Sequence, residues 1–137
     1  MRSMTLLLTA LAGLMLSGAL AAQQPPKPKE LNNVEIQSKN AFAGNLVMRF
    51  ENGILEYTFT EGRRAGAGGV NLDYSARKIG DEMYLVSWHD EVYSNHIAMV
   101  FDLKNKVEYT EAMMGYGTEA QYDFGTESVI EKVTPIE

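Results

Sequence analysis

The stretch Tyr84-Leu85-Val86-Ser87-Trp88-His89-Asp90, followed by Asn95-His96-Ile97-Ala98-Met99-Val100-Phe101-Asp102, decides the fold of this chain. Large apolar residues recur at every second position in both runs, as in β-strands with one buried face. If the runs fold back on each other over residues 91–94, three pairs meet on that face: Tyr84 with Phe101, Val86 with Met99, and Trp88 with Ile97. Asp90 and Asn95 then lie at the open end. The pattern predicts a strand pair that lines the inside of a barrel.

Further strands are predicted on both sides of this hairpin. Asn52-Gly53 is typical of a tight turn between strands, and residues 70–79 and 107–114 alternate in the same way. A short last strand is expected at 129–133, whereas 31–44 fits either a short helix or turn or an irregular first strand. Six or seven short strands without a helical period predict an all-β fold, a small antiparallel barrel of calycin or lipocalin type. A β-sandwich is the alternative.

The first 30 residues are predicted to lie outside the folded domain. Residues 1–22 combine Arg2, an apolar run of about a dozen residues and small residues before Gln23, which is the pattern of a signal peptide. The proline-rich residues 23–30 are predicted to form a mobile extended tether. The barrel domain is then 31–137, and we expect the mature protein to be periplasmic or secreted.

Composition limits the class of partner. The net charge of −6 opposes binding to nucleic acid or to anionic lipid surfaces. We therefore expect no nucleic-acid partner and no membrane partner after cleavage of the signal peptide, while a protein partner stays unassigned. The chain has no cysteine, so its core must be stable without disulfides, which favours a closed barrel.

The alternation assigns an apolar inner face. On strand 107–114 the apolar pattern places Val107, Tyr109 and Met113 inward, with Glu111 as a polar exception. Such a face either packs into a solid core or encloses a cavity for a small apolar or aromatic molecule, in which tyrosine supplies polar groups and methionine adaptable contacts. The predicted ligand-binding residues are Met48, Phe50, Tyr57, Tyr74, Trp88, Met99, Phe101 and Tyr109.

Asp90 and Glu91 are the candidate catalytic residues. Asp90 has the same strand parity as Trp88 and is therefore expected to point inward. A carboxylate at the rim of an apolar cavity suits proton transfer, because loss of water favours its protonated form. The alternative is a loop carboxylate in water.

Two other motifs carry possible chemistry. His89 and His96 fall opposite each other on the outer face, but two histidines without a third ligand do not define a metal site, so no metal and no cofactor is predicted. The glycine-rich segment 62–69 contains Arg63 and Arg64. It could bind a phosphate or carboxylate, or serve as a flexible connection or lid.

The central segment resembles a known family. Val86-Ser87-Trp88 followed by Asp90, the strand 97–103 and the hairpin Phe50-Glu51-Asn52-Gly53 are similar to those of MoaF-like proteins, over about residues 44–114. The resemblance implies a calycin-like barrel.

More remotely, the same frame resembles the phenolic acid decarboxylases, which are cofactor-free enzymes of lipocalin-like fold. Asp90 matches the position of their catalytic glutamate. Met48 and Phe50 stand where that family has two tyrosines that hold the substrate carboxylate, and neither can donate a hydrogen bond. We therefore expect an exported barrel that binds a small apolar or aromatic molecule. The alternatives are a cofactor-free lyase that uses Asp90 as acid or base, and a non-catalytic protein-interaction domain.

Overall fold

The computed structural model describes residues 24–137, so the predicted signal peptide lies outside the described residues. Each strand pairs antiparallel with the next, and the last pairs with the first, which closes a barrel. The prediction of a small antiparallel barrel of calycin or lipocalin type is confirmed. Closure rules out the sandwich. The eight strands are β1 (Val34–Asn40), β2 (Gly44–Glu51), β3 (Ile54–Phe59), β4 (Gly68–Gly80), β5 (Met83–Asp90), β6 (Asn95–Asp102), β7 (Val107–Met114) and β8 (Tyr122–Pro135).

The β5–β6 hairpin has the predicted register. Trp88 pairs with Ile97, Val86 with Met99, and Tyr84 with Phe101. The inward residues of these pairs are mostly buried, whereas His89 and His96 face outward. Alternating burial on both strands fixes this register, because a slip of one residue would expose the whole apolar face.

The ambiguous segment 31–44 contains a regular strand, β1, so the barrel has eight strands rather than six or seven. Its inward positions run from Val34 and Ile36 to Ser38 and Asn40. The two polar side chains interrupt the apolar pattern that would reveal a strand. The last strand is also longer than residues 129–133, because β8 pairs with β7 through its first half and with β1 through its second.

The end of the proline-rich segment contacts the barrel. β3 pairs with β4 only as far as Asp73, and the chain near Lys29 pairs with β4 at Ala76. The Ala76 N–H donates to the carbonyl of Pro28 at 2.8 Å. Lys29 also forms an ion pair with Asp73, at 2.7 Å. The segment therefore covers part of the β4 edge that β3 leaves open.

The strand β7 has the opposite facing from the one predicted. Glu108, Thr110, Ala112 and Met114 point inward, and Tyr109 is 48% exposed on the outer face. The prediction was wrong because it followed the apolar residues of β7, whereas the turn after β6 sets the facing. That turn places Glu108 directly opposite the buried Phe101.

The interior has two regions that are filled differently. In the packed region, the ring of Phe50 meets those of Tyr74 and Phe101 edge to face, at 5.1 and 6.0 Å between centroids. Each fully buried side chain of this kind contributes about 1.5–3 kcal/mol through removal from water. The rest of the interior is the hollow region, which encloses a cavity. The packed region consists of Ile36, Phe50, Leu55, Tyr74, Val86 and Phe101.

Among residues 24–137, the structure has no helix with the length and hydrophobicity needed to cross a bilayer.

Candidate ligand-binding cavity

A cavity of about 280 Å³ occupies the hollow region. This volume is close to the lower end of the roughly 300–1,000 Å³ typical of small-molecule sites. The cavity lies toward the barrel end formed by the connections β1–β2, β3–β4, β5–β6 and β7–β8. Its wall is mainly apolar and includes Leu46, Met48, Tyr57, Phe59, Trp88, Ile97, Met99, Ala112, Met114 and Phe124.

Trp88 and Tyr57 form the aromatic part of this wall. Their ring centroids are 5.8 Å apart, with the planes tilted. Burial raises the pKa of the Tyr57 hydroxyl, and the negative charge of Asp90 raises it further. Trp88 is 5% exposed, and its Nε1 has no hydrogen-bond partner among the described residues. The indole N–H is therefore an unpaired donor on a side chain that lines the cavity.

A polar patch from β1, β7 and β8 interrupts the apolar wall. Glu108 is 1% exposed and is flanked by Ser38 and Ser128, which are also buried. Burial raises the pKa of the Glu108 carboxyl to about 7, although hydrogen bonds with Ser38 and Ser128 favour its charged form. Loss of water therefore raises the pKa of Glu108 by more than the two hydroxyl groups lower it. A substantial fraction of Glu108 is consequently uncharged at neutral pH.

Asn40 holds this patch in place. Its side-chain N–H group donates to the Ser128 hydroxyl at 3.0 Å and to the Thr126 hydroxyl at 2.6 Å. Its carbonyl oxygen accepts from the backbone N–H groups of Phe42 and Ala43. Asn40 thus ties the β1–β2 turn to the polar wall.

The glycine-rich segment forms one side of the cavity mouth. Arg63 and Arg64 both line the cavity, with their guanidinium groups over the rings of Phe42 at 4.8 Å and Phe59 at 5.2 Å. The backbone N–H of Arg64 donates to the carbonyl of Ala43 at 3.1 Å, which anchors the glycine-rich segment to the β1–β2 turn. The two arginines give the mouth a positive charge in a protein that is acidic as a whole.

The close approach at this turn depends on glycine. Gly44 has a φ of 109°, and a Cβ there would lie 1.9 Å from the Glu61 carbonyl oxygen. Any other residue would push the glycine-rich segment away from the turn. Gly44 of β2 therefore allows the segment that carries Arg63 and Arg64 to lie against the β1–β2 turn.

The eight predicted ligand-binding residues fall into three groups. Met48, Tyr57, Trp88 and Met99 line the cavity. Tyr109 lies on the outer face of β7 and cannot contact a molecule inside the barrel. The remaining three, which are buried in the packed region and do not line the cavity, are Phe50, Tyr74 and Phe101.

The candidate catalytic residues lie at the β5–β6 turn. Asp90 is 2% exposed, but its Oδ1 accepts hydrogen bonds from the backbone N–H groups of Val92 at 3.0 Å and Tyr93 at 3.4 Å. Asp90 is not one of the residues that line the cavity, and Glu91 is exposed in the turn. The geometry gives Asp90 a turn-capping role.

The two histidines are opposite each other, as the hairpin register predicts, with ring centroids 6.1 Å apart. Within the described part of the chain, no group of three or more histidine, aspartate or glutamate side chains is arranged to hold a metal ion.

Glu108 is the polar cavity residue that the sequence analysis missed, yet the signal for it was present. In an antiparallel strand pair, the numbers of two paired residues always have the same sum. A turn centred on Lys104-Asn105 therefore pairs Phe101 with Glu108, whether the turn is short or long. Phe101 faces inward, so its partner must also face inward. The turn register was thus the better guide than the hydrophobicity of β7.

Comparison with known proteins supports the fold. No protein-family model matches this chain. No curated protein matches it either. Among solved structures, the chain is similar to a Burkholderia vietnamiensis protein described as a "putative beta-lactamase", with a TM-score of 0.65 and 11% sequence identity. The likeness covers 81% of this chain and 100% of that protein. At this identity it bears on the fold alone.

Proposed function

We propose that this protein is an exported β-barrel that binds a small apolar or aromatic molecule inside its hollow region. The observation that carries the proposal is the cavity of about 280 Å³, with an apolar wall and a small number of polar groups. Ligand sites in proteins commonly have this composition.

The same proposal includes the family and the location of the protein. Membership of the MoaF-like family rests on the sequence motifs around Trp88 and on the Asn52-Gly53 hairpin. Export to the periplasm or beyond rests on the signal-peptide pattern of residues 1–22. Small molecules would then reach the binding site outside the cytoplasm.

Trp88 allows a direct test, because it is the single tryptophan of the chain and it lines the cavity. Titration with naphthalene derivatives and with medium-chain fatty alcohols should change its fluorescence with saturation and should raise the melting temperature of the protein. If no compound of either class produces a saturable change, the proposal is wrong.

A pair of variants connects this signal to the cavity. Ala112→Phe adds a ring to the cavity wall and should abolish the saturable change, because Ala112 is buried and lines the cavity. Ala98→Phe adds the same ring on the outer face of β6 and should leave binding unchanged. Equal binding by both variants would place the ligand elsewhere on the protein.

The two alternatives from the sequence gain no comparable support. A lyase that uses Asp90 would need its carboxylate in the cavity, whereas that group accepts hydrogen bonds from its own turn. An interaction domain would need a partner, and nothing in the geometry of residues 24–137 identifies one.

A further inference from the structure

Two buried polar atoms of the cavity region lack a hydrogen-bond partner among residues 24–137. They are Oε2 of Glu108 and Nε1 of Trp88. Buried polar side-chain atoms are satisfied in the large majority of cases, so each exception calls for an explanation. Both residues line the cavity. A molecule in the cavity therefore lies next to two side chains that each hold an unsatisfied polar atom.

Glu108 lies among buried polar side chains on the inner face of the barrel. The Ser128 hydroxyl oxygen accepts from Asn40 at 3.0 Å, so its own hydrogen is directed to another acceptor. The Ser38 and Ser128 side chains lie beside the Glu108 carboxyl, where their hydroxyl groups favour its charged form. β7 and β8 pair Glu108 directly with Ser128, so both side chains lie on the same inner face, and both line the cavity.

The charges around the cavity restrict the ligand group that Glu108 can take. A carboxylate on the ligand would be repelled by ionised Glu108, in a site from which water is largely excluded. An ammonium group would approach a mouth that carries Arg63 and Arg64. An uncharged hydroxyl group avoids both penalties, and it can donate to a carboxylate as well as accept from a carboxylic acid.

We propose that Glu108, held by Ser38 and Ser128, is the polar anchor of the cavity and selects apolar or aromatic molecules that carry an uncharged hydroxyl group. This inference rests on the proposed ligand binding and adds the chemical class of the ligand. Trp88, which lines the same cavity, carries a second buried polar atom without a partner among the described residues.

Three naphthalene compounds of nearly equal size test the selection. They are 2-methylnaphthalene, 2-naphthalenemethanol and 2-naphthylmethylamine, titrated at pH 7 with Trp88 fluorescence and calorimetry as readouts. The alcohol should bind about five- to tenfold more tightly than the hydrocarbon, which is the effect of one buried hydrogen bond. The amine, a cation at this pH, should bind more weakly than the alcohol.

Two variants assign the preference to Glu108. Glu108→Leu should remove the preference for the alcohol while the hydrocarbon binds at least as well as before. Glu108→Gln, which keeps a hydrogen-bond donor and an acceptor, should retain most of the preference for the alcohol. Glu111→Leu, on the outer face of the same strand, should behave like the unchanged protein. Thermal unfolding confirms that each variant is folded.

The results separate the two proposals. Binding of 2-methylnaphthalene without preference for the alcohol would overturn the role of Glu108 and leave the cavity as a ligand site. A preference that persists in Glu108→Leu, or tighter binding of the amine, would also overturn it. If neither the hydrocarbon nor the alcohol binds, the proposed function itself fails.

Discussion

The packed and hollow regions of the interior are built by the same strands, yet they are filled differently. On β2, Phe50 packs edge to face against Tyr74 and Phe101, whereas Met48, two residues earlier, lines the cavity. Both side chains are almost completely buried. Burial alone therefore does not distinguish a core residue from a cavity residue in this barrel.

The difference arises from what faces these residues. Large aromatic side chains from several strands converge in the packed region, and Leu31 from the segment before β1 joins the same core. In the hollow region, β7 and β8 present several small or polar side chains, including Thr110, Ala112 and Ser128, beside Met114 and Phe124. A small barrel fills its interior only when enough large side chains point inward. The small and polar residues of these two strands leave the cavity open.

The largest expected effect compares two neighbouring positions of β6. Phe101→Ala should lower the free energy of unfolding by about 3–5 kcal/mol, because it opens a void among packed rings. Met99→Ala should lower it by less than about 2 kcal/mol, since one side of Met99 already faces the cavity. Urea denaturation followed by circular dichroism measures both. Equal losses would mean that the two regions are packed alike.

The next effect concerns the polar patch and depends on pH. The pKa of Glu108 is raised to about 7 in the folded protein from the ordinary value of 4.5. The folded state therefore holds the proton more tightly, and stability falls as pH rises from about 4.5 through 7. The shift corresponds to roughly 3 kcal/mol, lost in full above pH 8.

Substitution at Glu108 measures this penalty. Glu108→Gln should remove that pH dependence, so the variant should gain stability relative to the unchanged protein as pH rises from 4 to 8. Glu111→Gln, which replaces an exposed carboxylate on the outer face of the same strand, should show no such gain. Urea titrations at several pH values provide the comparison, and parallel pH curves for all three proteins would refute the proposed burial of charge.

A smaller effect separates two tyrosines. The hydroxyl of Tyr74 donates to the carbonyl of Leu31 at 2.8 Å in the packed region. Tyr74→Phe should therefore cost about 1–2 kcal/mol and should speed hydrogen exchange near Leu31. Tyr57→Phe, in the cavity wall, should change stability by less than about 0.5 kcal/mol. A larger loss at Tyr57 would indicate that its hydroxyl has a structural partner.

The smallest effect is expected at the turn. Asp90→Asn keeps an oxygen that can accept from Val92 and Tyr93, so stability should change by less than about 1 kcal/mol. The affinity for 2-naphthalenemethanol should stay the same, because Asp90 does not line the cavity. A loss of affinity without a loss of stability would indicate that Asp90 does contribute to ligand binding.

Particular residues show how far the sequence leads. The pairing of Trp88 with Ile97 follows from alternation together with the turn at residues 91–94, because a one-residue slip would expose every apolar side chain of the hairpin. The facing of β7 does not follow in the same way. The apolar residues Val107 and Tyr109 predict the wrong inner face for β7, and only the register set by the preceding turn gives the correct one. Half of the predicted ligand-binding residues line the cavity for a related reason. The position of a residue along a strand shows whether its side chain points inward, but it does not show whether that side chain contacts other side chains or the cavity.

The sequence by itself determined an all-β fold, the register of its central hairpin and the inward position of Trp88, because these depend on local alternation and turn position. The tertiary structure decided where the interior is solid and where it is hollow. It also placed Ser38 and Ser128, from two other strands, beside Glu108, and it placed the Asp90 carboxylate where it accepts hydrogen bonds from its own turn. These features depend on the shapes that opposite walls present to each other across the barrel. No pattern along a single strand contains that information.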